Sequence, residues 1–429
     1  MKTTKFKPSE VGPIPEEWEV KPFSECFTLL RNNTYSRDCL TDLPGSVANV
    51  HYGDVLIKYG AVLDFEEDSV PCLKPGVKPN KDLLKDGDLI FADTAEDETA
   101  GKAVEVQGVR PRMAVAGLHT VACRPQDEIF APRYLGYYIN SAAYHNQLLP
   151  LMTGTKVTSI SRAGFVSTHV AIPPKSEQEK IAEALSDVDG LLAAMTKLIE
   201  KKRAIKQGAM QQLLTGKKRL AGFTGKWVEK RFDECFDLVG NNTFAREFMC
   251  EDTHGIANIH YGDVLIRYGS VLDCSRTAVP SLLDSVACKT ELLKEGDVII
   301  ADTAEDETVG KAIEIRGLKD RCAVAGLHTI ACRPRFVFAA GWLGYYINSS
   351  AFHDQLLPLI TGTKVSSISK AGLRTTVLHV PDLTEQKAIA SVLSDMDAEI
   401  AALEAKRAKY ESVKQGMMQE LLTGRTRLV

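Results

Sequence analysis

The sequence is written twice, and that fact constrains the fold more than any other. Asn49-Val-His-Tyr-Gly-Asp-Val-Leu-Ile-Lys-Tyr-Gly-Ala-Val-Leu-Asp64 returns as Asn258-Ile-His-Tyr-Gly-Asp-Val-Leu-Ile-Arg-Tyr-Gly-Ser-Val-Leu-Asp273, sixteen positions with three conservative changes. Asp93 to Lys102 recurs as Asp302 to Lys311 with one change, and Ala114 to Thr120 recurs unchanged as Ala323 to Thr329, all at an offset of 209. One residue is lost between Pro334 and Leu343; Leu135 to Asn140 then matches Leu343 to Asn348, and Thr153 to Ser161 matches Thr361 to Ser369, at an offset of 208. A solenoid unit has roughly 20 to 50 residues, so each copy must instead be a domain with its connector.

Each copy changes texture once. From Trp18 to Pro173 short apolar stretches alternate with turn residues, as in Asp86-Gly-Asp-Leu-Ile-Phe-Ala92 and His119 to Cys123. The pattern predicts short strands and turns, with a helix near Arg133 to Leu149. After Pro173-Pro174 it becomes helical: Ser176 and Glu179 are spaced as a capping box, and apolar residues fall at Ile181, Leu185, Val188, Leu192, Met195 and Ile199. Spacings of four and three make a coiled-coil seam, expected to run on to Gly216. About forty residues at about 1.5 Å each give a rod of roughly 60 Å. Ile389, Leu393, Met396, Ile400 and Leu403 repeat the seam in the second copy, which ends at Gly424. Such a stripe needs cover, either from the helix's own domain or from the other helix, and two matching helices in one chain favour the second. The expected fold class is α+β: mixed α/β domains over 1–173 and 218–382, separated by long helices over 174–217 and 383–429. The helices are expected to pack as an antiparallel coiled coil that relates the domains by an approximate twofold axis.

The apolar fraction of 44% and charged fraction of 25% are those of a globular protein. No run of eighteen uncharged apolar residues occurs, and Met1 to Pro13 lacks the apolar core of a signal peptide, so a cytoplasmic protein with no membrane contact is expected. The ten cysteines never form a Cys-x-x-Cys pair, which predicts buried reduced thiols rather than zinc or disulfides. A net charge of -4 is unlike a protein that binds DNA alone. If this one meets DNA, its cations gather on one face or a partner supplies positive surface.

Catalytic signatures are absent. The sequence has no Gly-x-x-x-x-Gly-Lys-Ser/Thr loop, no Asn-Pro-Pro-Tyr/Phe segment, no Gly-rich loop after a strand and no recognised nucleophile context. The expectation is a chain without catalysis or cofactor. Asp93, Glu96, Asp97 and Glu98, with twins Asp302, Glu305, Asp306 and Glu307, form an acidic cluster open to three readings: a solvated loop, a hard-metal site, or acceptors for cytosine N4 amines. His51/His260 and His119/His328 hold matching places with no third metal-type ligand nearby, which favours hydrogen bonding in core or loop. His51 and Tyr52 also adjoin a Gly-Asp turn, where contact with DNA is open.

An ordered set of motifs resembles a known family. Val11-Gly-Pro-Ile-Pro-Glu-Glu-Trp18, Gly87-Asp-Leu-Ile90 leading to Gly101-Lys102, and Gly154 to Ile160 before Pro173-Pro174 resemble a target recognition domain. Glu177-Gln178-x-x-Ile181 opening a long helix, and Leu213-Leu-Thr-Gly-Lys217 closing it, resemble the helical region of type I restriction-modification specificity subunits. Glu385-Gln386, Ile389 and Leu421-Leu-Thr-Gly424 repeat that frame, so the resemblance covers nearly the whole chain. The acidic loop Thr94-Ala-Glu-Asp-Glu98 is longer than the family's usual one. The resemblance implies a non-catalytic subunit that reads a bipartite double-stranded DNA target. It also implies partners: two DNA methyltransferase (modification) subunits and, in a restricting complex, motor-nuclease subunits.

On that reading phosphate contacts set position and base edges carry sequence. Candidates for phosphate contact are Lys58, Lys102, Lys156 and Arg162, with Arg267, Lys311, Lys364 and Lys370. Candidates for base contact are Asn32, Asn33, Tyr35, Arg37, His51, Tyr52, Thr155, Thr158, Ser159 and Ser161. Their counterparts are Asn241, Asn242, Phe244, Arg246, His260, Tyr261, Thr363, Ser366, Ser367 and Ser369. Since even these loop residues correspond, the two half-sites are expected to form an interrupted inverted repeat, the helices fixing the gap. The basic ends Lys201-Lys-Arg203, Lys217-Lys-Arg219 and Lys406-Arg407 suit either partner docking or plain solvation. The rival without nucleic acid is a pseudo-symmetric protein-interaction scaffold. The enzymatic rival, a self-sufficient methyltransferase, lacks the pockets for donor and flipped base.

Overall fold

The computed structural model describes residues 5–43, 45, 47–79, 82–126, 129–251, 255–319, 321–362 and 364–429. The chain forms two compact units, one of residues 1–196 with 406–429 and the other of residues 197–405.

The first unit is organised by a five-stranded sheet in the order Phe27–Leu30, Thr120–Pro125, Leu89–Ala92, Ala103–Gln107, Val62–Asp64, antiparallel except for its last pair. Leu89-Ile-Phe-Ala92 is buried at every position. Successive side chains of a strand point to opposite faces. Leu89, Phe91, Val121 and Cys123 accordingly join one core, shared with Tyr134, Tyr137 and Tyr138. Ile90, Ala92, Val104 and Ala122 join another, shared with Val50 and Ala116 of a second sheet. A sheet covered on both faces reads as continuous apolar runs rather than alternation. The second sheet runs Met113–Ala116, Val47–Val50, Cys72–Leu73, Leu40–Thr41, its first pair parallel. The Gly-Asp-Leu-Ile motif is explained by Asp88, buried at the foot of its strand and held bidentately by Arg124 at 2.8 Å through Nε and Nη2.

The helix expected from Arg133 to Leu149 is broken into Tyr134–Ile139 and Ala142–His145. Asn140 ends the first piece because its Nδ2 donates to the Gly136 and Ala103 carbonyls, at 2.7 Å each, and Ser141 Oγ caps Tyr138 O at 2.6 Å.

Two helices of 39 residues follow the globular parts, Lys175–Leu213 and Leu383–Leu421. The first starts one residue before Ser176, whose side chain is exposed; the Pro174 carbonyl accepts from Gln178 N at 3.1 Å, in place of the expected capping box. Its first turn is held by buried polar groups. Glu177 accepts from Trp18 Nε1 at 3.0 Å and from Arg427 Nε and Nη2 at 2.6 and 2.8 Å, while Gln178 bonds Ala131 N and Pro173 O. Gly424 (φ +68°) seats this tail, since a Cβ there would lie 2.3 Å from Pro15 Cγ. The same unit pairs Lys414 with Asp189 at 2.5 Å and Arg407 Nε with Thr196 Oγ1 at 3.0 Å.

The second unit repeats the plan, with a sheet in the order Phe236–Val239, Thr329–Pro334, Val298–Ala301, Ala312–Arg316, Val271–Asp273. Glu385 accepts from Trp227 Nε1 at 3.1 Å and from Arg219 Nε and Nη2 at 2.5 Å each. Lys206 pairs with Asp397, and Lys202 with Glu399 at 2.6 Å.

The expected seam is not one uniform stripe. Ile181 and Leu185 belong to the globular core of the first unit, Ile389 and Leu393 to that of the second, with Met396 packed beside them. Met195, Ile199 and Ile400 are buried, whereas Val188, Leu192 and Leu403 are half-buried. The first two turns are covered by their own domain because the tyrosine-bearing helix packs there; Tyr137 Oη bonds Asp189 at 2.8 Å, and Tyr345 Oη bonds Asp397 at 2.8 Å. All ten cysteines are free thiols, but only five are buried; Cys39, Cys72, Cys250 and Cys288 are half-buried and Cys322 is exposed. Among the described residues no helix is long and apolar enough to cross a membrane.

The two units differ at one buried acid. Glu105 accepts from Gly136 N at 2.9 Å and Arg133 N at 2.5 Å, with only neutral Gln107 beside it, and burial pushes its carboxyl up to about 7. Glu314 receives the corresponding backbone donors and also the Arg316 guanidinium. A raised carboxyl favours the protonated fold, so its contribution is complete below the ordinary value near 4.5 and is lost as pH rises through about 7. The loss amounts to roughly 3 kcal/mol at most. Gln107→Arg should supply the missing cation and flatten this dependence, checked by thermal melting at pH 6 and pH 8. Equal slopes for the variant and the natural chain would contradict it.

Candidate nucleic-acid interface

Several polar residues of the first unit form a continuous surface, linked by bonds at the ends of the buried strands. Arg162 Nη2 donates to Asn32 Oδ1 at 2.6 Å, and Asn32 Nδ2 donates to Gly117 O at 3.2 Å. Two residues on, His119 meets the Tyr52 ring edge-on at 5.3 Å, and His51 lies against Tyr52 at 4.7 Å. Thr94 Oγ1 lies 3.5 Å from His119 Nδ1, and its strand pairs Thr94 with Ser159 and Ala95 with Thr158. Beyond that pair the chain turns back through exposed Thr155 and Lys156. The turn requires Gly154, at φ +113°, because a Cβ there would stand 1.9 Å from Val157 O.

The second unit forms the same surface. His328 meets Tyr261 at 5.3 Å, Thr303 Oγ1 lies 3.3 Å from His328 Nδ1, and Thr303 pairs with Ser367, next to Ser366. Asn241 Nδ2 donates to Gly326 O at 3.4 Å. Lys364, Ser369 and Lys370 are exposed, and Lys370 makes no bond to Asn241 among the described residues. Thr363 lies outside the described residues.

Other candidates also make bonds within the protein. Asn33 and Asn242 are buried and donate to Asn49 and Asn258, fixing the loop before them. His51 and His260 cap short helices by accepting from Gly53 N and Gly262 N, and burial lowers both imidazoles below their ordinary range. Arg37 and Arg246 are paired with buried Asp54 and Asp263. Ser161 and Ser369 accept from Gly164 N and Gly372 N at the starts of short helices. Tyr35 Oη donates to Lys78 O, Lys58 Nζ to Ser69 O, and Arg267 pairs with Glu251. Phe244 stacks obliquely on Phe248 at 6.0 Å.

Lys102 and Lys311 are the clearest case. Lys102 Nζ donates to Leu56 O at 2.8 Å and Tyr59 O at 3.0 Å, Lys311 Nζ to Leu265 O at 2.7 Å, and burial lowers both ammonium groups below the usual lysine range. They close the ends of the helices Tyr52–Ile57 and Tyr261–Ile266. In the acidic loop Asp97 accepts from Thr99 N at 2.9 Å and from its hydroxyl, which holds its carboxyl below the ordinary range, while Glu96 and Glu98 are exposed. Among the described residues no group of three His, Cys, Asp or Glu side chains is placed to hold a metal ion. Thr94 and His119 belong to no contact motif, and exact repetition is their one legible signal.

These placements separate two kinds of lysine. Lys102→Met should lower stability by about 1.5–3 kcal/mol through its orphaned carbonyls, leaving the salt dependence of DNA retention unchanged. Lys156→Met should leave the melting temperature alone and reduce the slope of log affinity against log salt by about 1. Reversed results would restore Lys102 as a phosphate contact.

The chain is similar to known proteins in sequence and in fold. The sequence profile of the type I restriction modification DNA specificity domain matches residues 15–206 and again 226–412. A specificity subunit assigned to the type I restriction enzyme MjaX of Methanocaldococcus jannaschii is 26% identical over all of this chain and 98% of its own length. The EcoKI specificity subunit of Escherichia coli is 24% identical over half of this chain and 45% of its own. In fold, the chain is similar to one from a solved type I restriction-modification system, with TM-score 0.56 at 17% identity over 96% of this chain and 99% of the other. It is likewise similar to the type I S subunit of M. genitalium, with TM-score 0.52 at 13% identity over 98% of each. With the family's profile matched twice along its length, the chain belongs to the type I restriction-modification DNA specificity family.

Proposed function

We propose that the chain is the DNA sequence-specificity subunit of a type I restriction-modification complex, carries no catalysis of its own, and directs modification and restriction subunits to a bipartite target. The observation that carries this reading is the same polar surface built twice, from Asn32, Tyr52, Thr94 and His119 in one unit and Asn241, Tyr261, Thr303 and His328 in the other. Residues 1–173 and 218–382 are the two target recognition domains, and 174–217 and 383–429 the spacer helices. The exposed Lys156, Lys364 and Lys370 approach the phosphates; Asn32, Tyr52, Thr155, Thr158 and Ser159, with Asn241, Tyr261, Ser366 and Ser367, face base edges. Two modification subunits, one per half of the chain, are the expected complement, with restriction subunits joining when present.

The spacer reading holds that the helices pair antiparallel and set the unspecified gap. Support comes from the falling order of partners: Asp189 with Lys414 and Thr196 with Arg407 in one unit, Lys202 with Glu399 and Lys206 with Asp397 in the other. A twofold relation of two near-identical readers implies an inverted repeat.

Sequencing the methylated bases left in DNA by the reconstituted complex tests both parts. The natural chain should mark an inverted repeat with one fixed gap, and Met195→Lys with Ile400→Lys should loosen or abolish the gap. Two unrelated half-sites would sink the symmetry, and an unchanged gap would sink the spacer. An assembled complex whose DNA retention is absent or insensitive to salt would leave the scaffold reading standing instead.

A further inference from the structure

Among the described non-glycine residues at positive φ, only histidine recurs at the same place in both copies, His119 at +52° and His328 at +54°. The left-handed region disfavours side chains and is held only where something gains from it. Elsewhere the copies treat this conformation as a matter of backbone alone: Arg133 at φ +69° is matched by Gly341 at +81°, each before a short helix. At 119 and 328 glycine would relieve the backbone, yet both copies carry the ring. The strain therefore serves the side chain.

The ring is held on one side and open on the other. His119 and His328 are 49% and 48% exposed. Nδ1 of each faces the Asp93 or Asp302 carboxylate at 3.7 or 3.5 Å, and a tyrosine edge fixes the ring plane. Thr94 gives its own proton to Asp93 Oδ1 at 2.8 Å, so its oxygen presents lone pairs toward His119 Nδ1; Thr303 and Asp302 repeat this. With oxygen acceptors on that side, the neutral tautomer that suits the site carries its proton at Nδ1. In that tautomer Nε2 carries the lone pair, and it meets no partner among the described residues.

We propose that His119 and His328 are specificity-determining residues, each accepting at Nε2 from an exocyclic amine on a base edge in the major groove. Such an acceptor admits adenine N6 or cytosine N4 at one strand position and repels the keto oxygens of guanine and thymine. The inference rests on the DNA-recognition reading above and assigns one position of each half-site to one ring.

His119→Gly is the suitable variant, since it removes the ring and relieves the backbone; His328→Gly is its mirror, and His119→Gln restores an acceptor. Reconstituted complexes of each with modification subunits would be used to methylate random-sequence DNA, and the marked motifs read by sequencing. His119→Gly should relax discrimination between amino and keto bases at one position of one half-site by about fivefold or more, His328→Gly at the mirrored position, with melting temperature retained and partial rescue by His119→Gln. Motifs unchanged in both glycine variants, or methylation lowered evenly across all sequences, would overturn the proposal. If the natural complex marks no motif, the recognition reading fails first, and this proposal falls with it.

Discussion

Glu177 is buried, and its charge is met by a guanidinium 250 residues away along the chain, that of Arg427, together with the Trp18 indole. Removing one partner from such a buried pair costs about 3–5 kcal/mol, because an uncompensated charge remains. Glu385 repeats the arrangement with Arg219 and Trp227. In the first unit the arginine follows the second helix, and in the second unit it follows the first. Each globular part is therefore closed by the end of a helix that begins on the other copy. Leu421, Leu422 and Gly424, and likewise Leu213, Leu214 and Gly216, belong to these closures more than to a free helix end.

That closure also supports the polar surface of each unit. The helix Tyr134–Ile139 is pinned to the first turns of the long helix through shared core and the Tyr137–Asp189 bond. The five-stranded sheet packs beneath it, and at its ends sit Thr94, His119 and the turn at Gly154. A surface built on strand ends buried on both faces can hold a strained backbone in place, which a free loop could not.

The repeat, the two mixed domains and the long helices were legible in the sequence because each leaves a periodic or duplicated trace. Continuous runs such as Leu89 to Ala92 announced strands covered on both faces. The seam was legible only in part: periodicity reports an apolar stripe but not its cover, so Ile181 and Leu185 gave no sign of joining a domain core. Site residues were hardest to read. Lys102, Asn33 and His51 have the chemistry of contacts but spend it on carbonyls, an amide and a helix start, all long-range or conformational matters that composition does not encode. His119 depends on a backbone angle that no motif records.

If the two copies are equivalent readers, either can stand in the other's place. A chain in which residues 227–381 are replaced by a second copy of 18–173, reconstituted with modification subunits, puts this to the most direct test. Sequencing the bases it methylates should return a perfectly inverted repeat with the gap of the natural chain. Two dissimilar half-sites, or a folded and assembled complex that marks no motif, would contradict the account.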